Sequence, residues 1–187
     1  MATAFIGFGS NLGNRLDFCD RAVTLLELLP HSRLNAVSSL YETEPVDDGA
    51  APGPEWFLNG VVQIQTDITP ASLMEICREI ERALGRDPED RKGPRTLDLD
   101  LLLYDDLIVA DSTLTIPHPR LHLRRFVLAP LVEIDPERGH PLLRQSVREL
   151  LSQLRDPSVV RRLSPQPHSR YGSRPTCSAP PTNGPQG

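Results

Sequence analysis

The sequence predicts an α+β sandwich of the ferredoxin-like type, a mainly antiparallel sheet with helices packed on one of its faces. Three observations predict it. Segments of strand and of helix character follow one another as strand, helix, strand, strand, helix, strand, the order of a split βαβ unit. The 187 residues, 39% hydrophobic and 24% charged, suit one domain with a real core. Composition then changes near residue 161, beyond which Pro, Ser and Gly dominate, so a folded domain is expected over 1–160 and a disordered tail over 161–187.

Each element has a local reason. ATAFIGFG (2–9) has strand propensity, and Asn11 or Asn14 can cap a helix whose apolar positions Leu16, Cys19, Val23, Leu26 and Leu29 follow helical spacing until Pro30 stops it. RLNAVSSLYETEPV (33–46) reads as a strand running into an irregular segment, and DDGAAPGPE (47–55) as a loop. FLNGVVQIQT (57–66) is the next strand. Thr69 and Pro70 start a second helix over 70–84, with Gly85 at its end and Leu73, Ile76, Cys77, Ile80 and Leu84 as its stripe. RDPEDRKGP (86–94) is a polar loop, and TLDLDLLLY (96–104) is a strand that Asp105 and Asp106 would turn into a hairpin with LIVA (107–110). A proline-punctuated segment then leads into a short helix over 121–129, and Ser146 with Glu149 makes a capping box for a last one over 147–155.

Composition excludes several function classes. No apolar run is long enough for a membrane span, and the N-terminus lacks the basic region of a signal peptide, so a cytoplasmic protein is expected. Three cysteines without CxxC spacing suggest neither a disulfide framework nor a zinc site. A net charge of −5 argues against a broad nucleic-acid surface, and local basic stretches occur only at Arg86 to Arg95 and Arg120 to Arg125. Neither a phosphate-binding GxxxxGK[ST] loop nor a GxGxxG turn is present.

The chemistry centres on Asp98 and Asp100. Side chains at i and i+2 of a strand share a face, which puts the two acids about 7 Å apart on one side and Leu97, Leu99 and Leu101 on the other. At an effective dielectric of ~20 the pair repels by about 2 kcal/mol, and a hard divalent cation is the usual compensation. Arg86, Arg91, Lys92 and Arg95 precede the pair; His118, Arg120, His122, Arg124 and Arg125 follow it. Acids for a metal flanked by arginines suit phosphoryl transfer, where catalysis is mostly positioning and charge neutralisation. Asp105 and Asp106 read as turn formers. From the residues alone, a Mg-dependent nucleotidyltransferase and a non-catalytic ferredoxin-like binding module remain alternatives.

GSNLGNR (9–15), YETEPV (41–46), FLNGVV (57–62), LGR (84–86), GPRTLDLDLLLY (93–104) and IPHPRLHLRRFVLAPLVEI (116–134), in that order, resemble the 6-hydroxymethyl-7,8-dihydropterin pyrophosphokinases of folate biosynthesis. The resemblance runs over about residues 3–155. It implies transfer of pyrophosphate from ATP to the pterin hydroxymethyl group with release of AMP, and two Mg2+ ions held by Asp98 and Asp100. It assigns ATP contacts to Glu81, Arg86, Arg95, Leu101, Thr115, His118 and Arg124, with Arg86 and Arg95 taking part in catalysis beside the two aspartates. Pterin contacts fall on Thr43, Pro45, Val46 and Asn59, with Phe57 and Phe126 stacking on the ring. The partners it implies are small molecules, with neither nucleic acid nor membrane, and the protein is expected to be a monomer. Several positions depart from the family pattern: Phe57 stands where tyrosine is frequent, Glu44 where proline is common, Arg78 in place of a glutamine, Pro88 in place of an arginine and Lys92 in place of an aromatic residue.

Overall fold

The structure, a computed structural model, describes residues 1–45, 56–86 and 95–173. Its elements in chain order are β1 (Ala2–Ser10), α1 (Arg15–Glu27), β2 (Ser32–Val37), β3 (Tyr41–Thr43), β4 (Phe57–Thr66), α2 (Pro70–Ala83) and β5 (Asp98–Tyr104). There follow β6 (Val109–Ala110), β7 (Thr115–Ile116), a 3-10 turn (Leu121–Leu123), α3 (Arg125–Ile134), β8 (Gly139–His140), β9 (Gln145–Ser146), α4 (Val147–Gln153) and β10 (Val160–Arg162). The main sheet is antiparallel in the order β10, β3, β4, β1, β5, with β2 also lying along β4. This is the predicted ferredoxin-like strand order with one added edge strand.

Local chemistry sets the helix ends. Asn14, not Asn11, caps α1, its side chain accepting from the Asp17 N–H at 3.3 Å. Thr69 caps α2 with Pro70 behind it, and Gly85 ends that helix at φ +89, a left-handed conformation that costs glycine least. The Ser146–Glu149 capping box starts α4 as the sequence indicates.

The sheet buries both faces, which corrects the expectation of helices on one side only. Ile6, Phe8, Val62, Ile64, Leu99 and Leu101 face α1 and α2. Phe5, Val61, Leu102 and Leu103 face α3 and α4. Strands apolar in both alternating positions require two covers. Helix α3 also starts later and runs further than predicted, continuing through Pro130 to Ile134. Burial of Val127, Leu128, Leu131 and Ile134 outweighs the one helical hydrogen bond that proline removes.

Two further expectations are corrected. LIVA does not return along β5; Val109 and Ala110 pair with Ile116 and Thr115 instead. Asp105 turns the chain at φ +43 and clasps β1, its carboxylate accepting the Thr3 N–H and its own N–H donating to the Thr3 carbonyl, both at 2.8 Å. The outer edge of β5 is meanwhile engaged by the His118 N–H, which donates to the Leu102 carbonyl at 2.9 Å. The tail expectation also fails over its described part, 161–173. There β10 pairs with β3, Gln166 brackets the main chain of Leu40, and Tyr171, 5% exposed, enters the α1 core while its hydroxyl donates to Asp20 at 2.6 Å. Few apolar residues occur in that stretch, but main-chain pairing and one buried tyrosine suffice to anchor it.

Candidate active site

Strand pairing assembles the site. Asn59 on β4 is opposite Gly9 on β1, which is opposite Asp98 on β5; two residues along, Val61, Gly7 and Asp100 form the next row on the same face. Directly paired residues project to the same side, so Asp98, Asp100 and Asn59 share the face that α3 covers further along, and Phe57 and its partner Thr43 share it too. Gly7 and Gly9 leave the centre of this face without side chains. A Cβ at Gly9 would overlap the Asn59 side-chain oxygen, so glycine there is what lets the amide lie across β1. The amide is fixed by donating to the Thr43 hydroxyl at 2.7 Å, with both residues almost wholly buried.

The β5 side is a charge network. Asp98 accepts from Arg86 and from Arg95 at 2.6 Å each, one guanidinium on each oxygen. Arg86 is also paired with Glu81, whose carboxylate accepts the Leu99 N–H at 2.7 Å and so braces α2 against β5. Arg95 is pinned at the main chain by Asn11: its N–H donates to the Asn11 side-chain oxygen at 2.7 Å, and the Asn11 N–H donates to its carbonyl at 3.1 Å. Sequence reasoning considered Asn11 only as a helix cap. The bracket with Arg95 spans 84 residues and left no local signal.

Burial and mutual repulsion mark the acids. Glu81 is pushed up to about 7 by burial, against the Leu99 hydrogen bond and the Arg86 charge that favour its ionised form. Asp100 is pushed up to about 6, first by loss of water around it and then by the Asp98 charge, with Arg124, Arg95 and Arg86 opposing. His118 is held down at about 4 by burial and by the charges of Arg124 and Arg120. Its Nδ1 accepts the Arg120 N–H at 3.2 Å, so the neutral ring carries its proton on Nε2, 3.9 Å from Asp100. That contact is therefore not an ion pair at neutral pH.

Other candidates distribute less evenly. Arg124 stacks its guanidinium over the Phe126 ring at 5.3 Å, at the start of α3. Leu101 turns its side chain into the α1/α2 core, so only its main chain is available to a ligand. Thr115 is exposed on β7, and Pro45 is half-buried beyond β3. Arg78 lies on the outer face of α2, paired with Glu75 at 3.2 Å. Val46, Pro88, Arg91 and Lys92 lie outside the described residues. Among the described residues no three His, Cys, Asp or Glu side chains converge on a metal.

The model of the 7,8-dihydro-6-hydroxymethylpterin-pyrophosphokinase (HPPK) family matches residues 5–136. A 2-amino-4-hydroxy-6-hydroxymethyldihydropteridine pyrophosphokinase of Methylorubrum extorquens is 42% identical over 163 residues, 87% of this chain and 99% of that protein. A folic acid synthesis protein of Schizosaccharomyces pombe is 40% identical over 151 residues, 81% of this chain, which spans only 20% of that protein. The solved Plasmodium falciparum HPPK-DHPS with pteroate shares the fold, with a TM-score of 0.65 at 15% identity, over 81% of this chain and 44% of the other. On the family match and the near full-length relative, the chain belongs to the 7,8-dihydro-6-hydroxymethylpterin-pyrophosphokinase family.

Proposed function

We propose that the protein transfers the terminal pyrophosphoryl group of ATP to the hydroxymethyl oxygen of 6-hydroxymethyl-7,8-dihydropterin, giving AMP and the pterin diphosphate for folate biosynthesis. The observation that carries this reading is one sheet face bearing an aspartate–arginine cluster on one side of Gly7 and Gly9 and a buried amide–hydroxyl pair on the other.

The two sides suit the two substrates. The planar guanidinium groups of Arg86 and Arg95 can each bind a pair of phosphate oxygens and so exchange Asp98 for the triphosphate. His118, neutral, donates from Nε2 without adding charge, and Arg124 adds a cation on the α3 side. Asn59 offers a donor and an acceptor to the edge of a pterin, and Phe57 and Phe126 offer faces for stacking. As the hydroxymethyl oxygen bonds to the β-phosphorus and gives its proton up to water, the bond from that phosphorus to the α-bridging oxygen breaks and AMP departs. The chain's part is to align these atoms and to keep positive charge on the transferring group.

Magnesium fits the donor set. Asp98 and Asp100 share a face, their repulsion helps to raise Asp100, and the Asp98 oxygens keep lone pairs beyond those used by the arginines. Two Mg2+ ions on Asp98 and Asp100 would neutralise the phosphate charge during displacement. We further propose that the protein acts as a cytoplasmic monomer on these small molecules, without nucleic-acid or membrane partners. No helix among the described residues is long and apolar enough to cross a membrane.

The test is a product assay with ATP, Mg2+ and the hydroxymethyl pterin. AMP in equal amount to pterin diphosphate is expected; ADP, free pyrophosphate or pterin-independent turnover would overturn the reading.

A further inference from the structure

The two walls assigned to the pterin sit on separate elements, Phe57 with Thr43 on the β3–β4 hairpin and Phe126 on α3, and one segment near the C-terminus touches both. Asp156 accepts the Arg125 N–H at 2.8 Å at the first turn of α3, and its carbonyl accepts from the Arg125 side chain at 3.1 Å. Three residues on, the Glu44 N–H donates to the Val159 carbonyl at 3.2 Å, and the Val159 N–H donates to the Glu44 carboxylate at 2.8 Å. Val160 then pairs with Thr43 itself, and Arg161 lies over the Trp56 indole at 5.1 Å. From the other side, Arg15 donates to the Trp56 carbonyl and pairs with Glu42 at 3.1 Å.

We propose that residues 156–161 are a positioning strap that sets the gap between the Phe57 wall and the Phe126 wall, with Glu44 as its coupling residue. The proposal rests on the pterin assignment made above. A proline at position 44 would remove both the N–H and the carboxylate that join Val159, so the coupling depends on the residue this chain carries there. Because the strap touches neither Asp98 nor the arginines that bind it, its loosening should weaken pterin binding and spare ATP.

Steady-state kinetics of Glu44→Pro, Glu44→Gln, Asp156→Ala and Asp156→Asn against both substrates tests this. Glu44→Pro and Asp156→Ala are expected to raise the KM for the pterin about tenfold, the order set by losing two hydrogen bonds, while the KM for ATP and kcat stay within about twofold. The Gln and Asn variants, which keep an acceptor oxygen, are expected to restore the pterin KM. An unchanged pterin KM, or equal rises for both substrates, would overturn the strap. Amide exchange at Val159 reads the strap without catalysis: it should be slow in the unmutated protein and at least tenfold faster in Glu44→Pro, and equal rates would overturn it. If the unmutated protein made no AMP, the function proposed above would fall, and the exchange rates would still decide whether the strap exists.

Discussion

The two halves of the site are built by opposite means. On the β5 side, carboxylates and guanidinium groups of Glu81, Asp98, Arg86 and Arg95 satisfy one another, and all of them except the buried Glu81 are partly in reach of water. On the β3–β4 side, a neutral amide and hydroxyl are sealed in, Asn59 at 7% and Thr43 at 1% exposure. The charged half can trade one partner for another, an aspartate for a phosphate, because each ionic group keeps spare hydrogen-bonding capacity. The neutral half cannot, since a buried amide left without partners costs more than its bond contributes, so packing must set its position in advance. A nucleotide with its metal suits the first kind of surface, and a flat heterocycle the second.

Substitutions should separate the halves, with the largest effect at the carboxylates. Asp98→Ala and Asp100→Ala are each expected to lower kcat/KM by roughly a thousandfold while thermal unfolding stays cooperative, as for groups that act on the transferring charge. Arg95→Ala should cost about a hundredfold, mostly in the KM for ATP, since Arg95 is held by Asn11 through its main chain and the alanine keeps that bracket. Gly9→Ala should displace the Asn59 amide and raise the pterin KM by about ten- to thirtyfold with little change for ATP. Phe57→Tyr, which keeps the stacking face, should stay within about twofold for both substrates.

The smallest effect concerns pH. His118 is depressed from 6.5 to about 4, so the native state resists its protonation. Its contribution to stability is present above pH 6.5 and is lost as pH falls from there through 4. Glu81 runs the other way: raised from 4.5 to about 7, it favours the native state below pH 4.5 and loses that contribution as pH rises through 7. Replacing His118 by Asn should flatten the acid limb of a stability profile, and Glu81→Gln the neutral limb. NMR titration of the His118 ring should show no protonation at pH 6; a midpoint near 6.5 would contradict its assigned environment.

Where chemistry follows a short period it was legible in the sequence. The i, i+2 rule placed Asp98 and Asp100 together, and caps with Pro30 and Gly85 as stops marked the two long helices. The resemblance supplied Asn59 and Thr43, but not the reason Gly9 must be glycine, which depends on strand register. Contacts between distant segments left no trace: Glu44 and Val159 are 115 residues apart, and a Pro- and Ser-rich composition concealed the pairing of β10 and the burial of Tyr171. The second helical cover was also missed, although Phe5 and Val61 alternate with Ile6 and Val62 in plain view.

The division of the site is tested most directly by measuring both Michaelis constants for Arg95→Ala and for Asn59→Ala in one assay. A crossed pattern is expected, with the ATP constant raised at least tenfold only in Arg95→Ala and the pterin constant only in Asn59→Ala. If each substitution raised both constants alike, the charged and neutral halves would not be separate binding surfaces, and the account would be wrong.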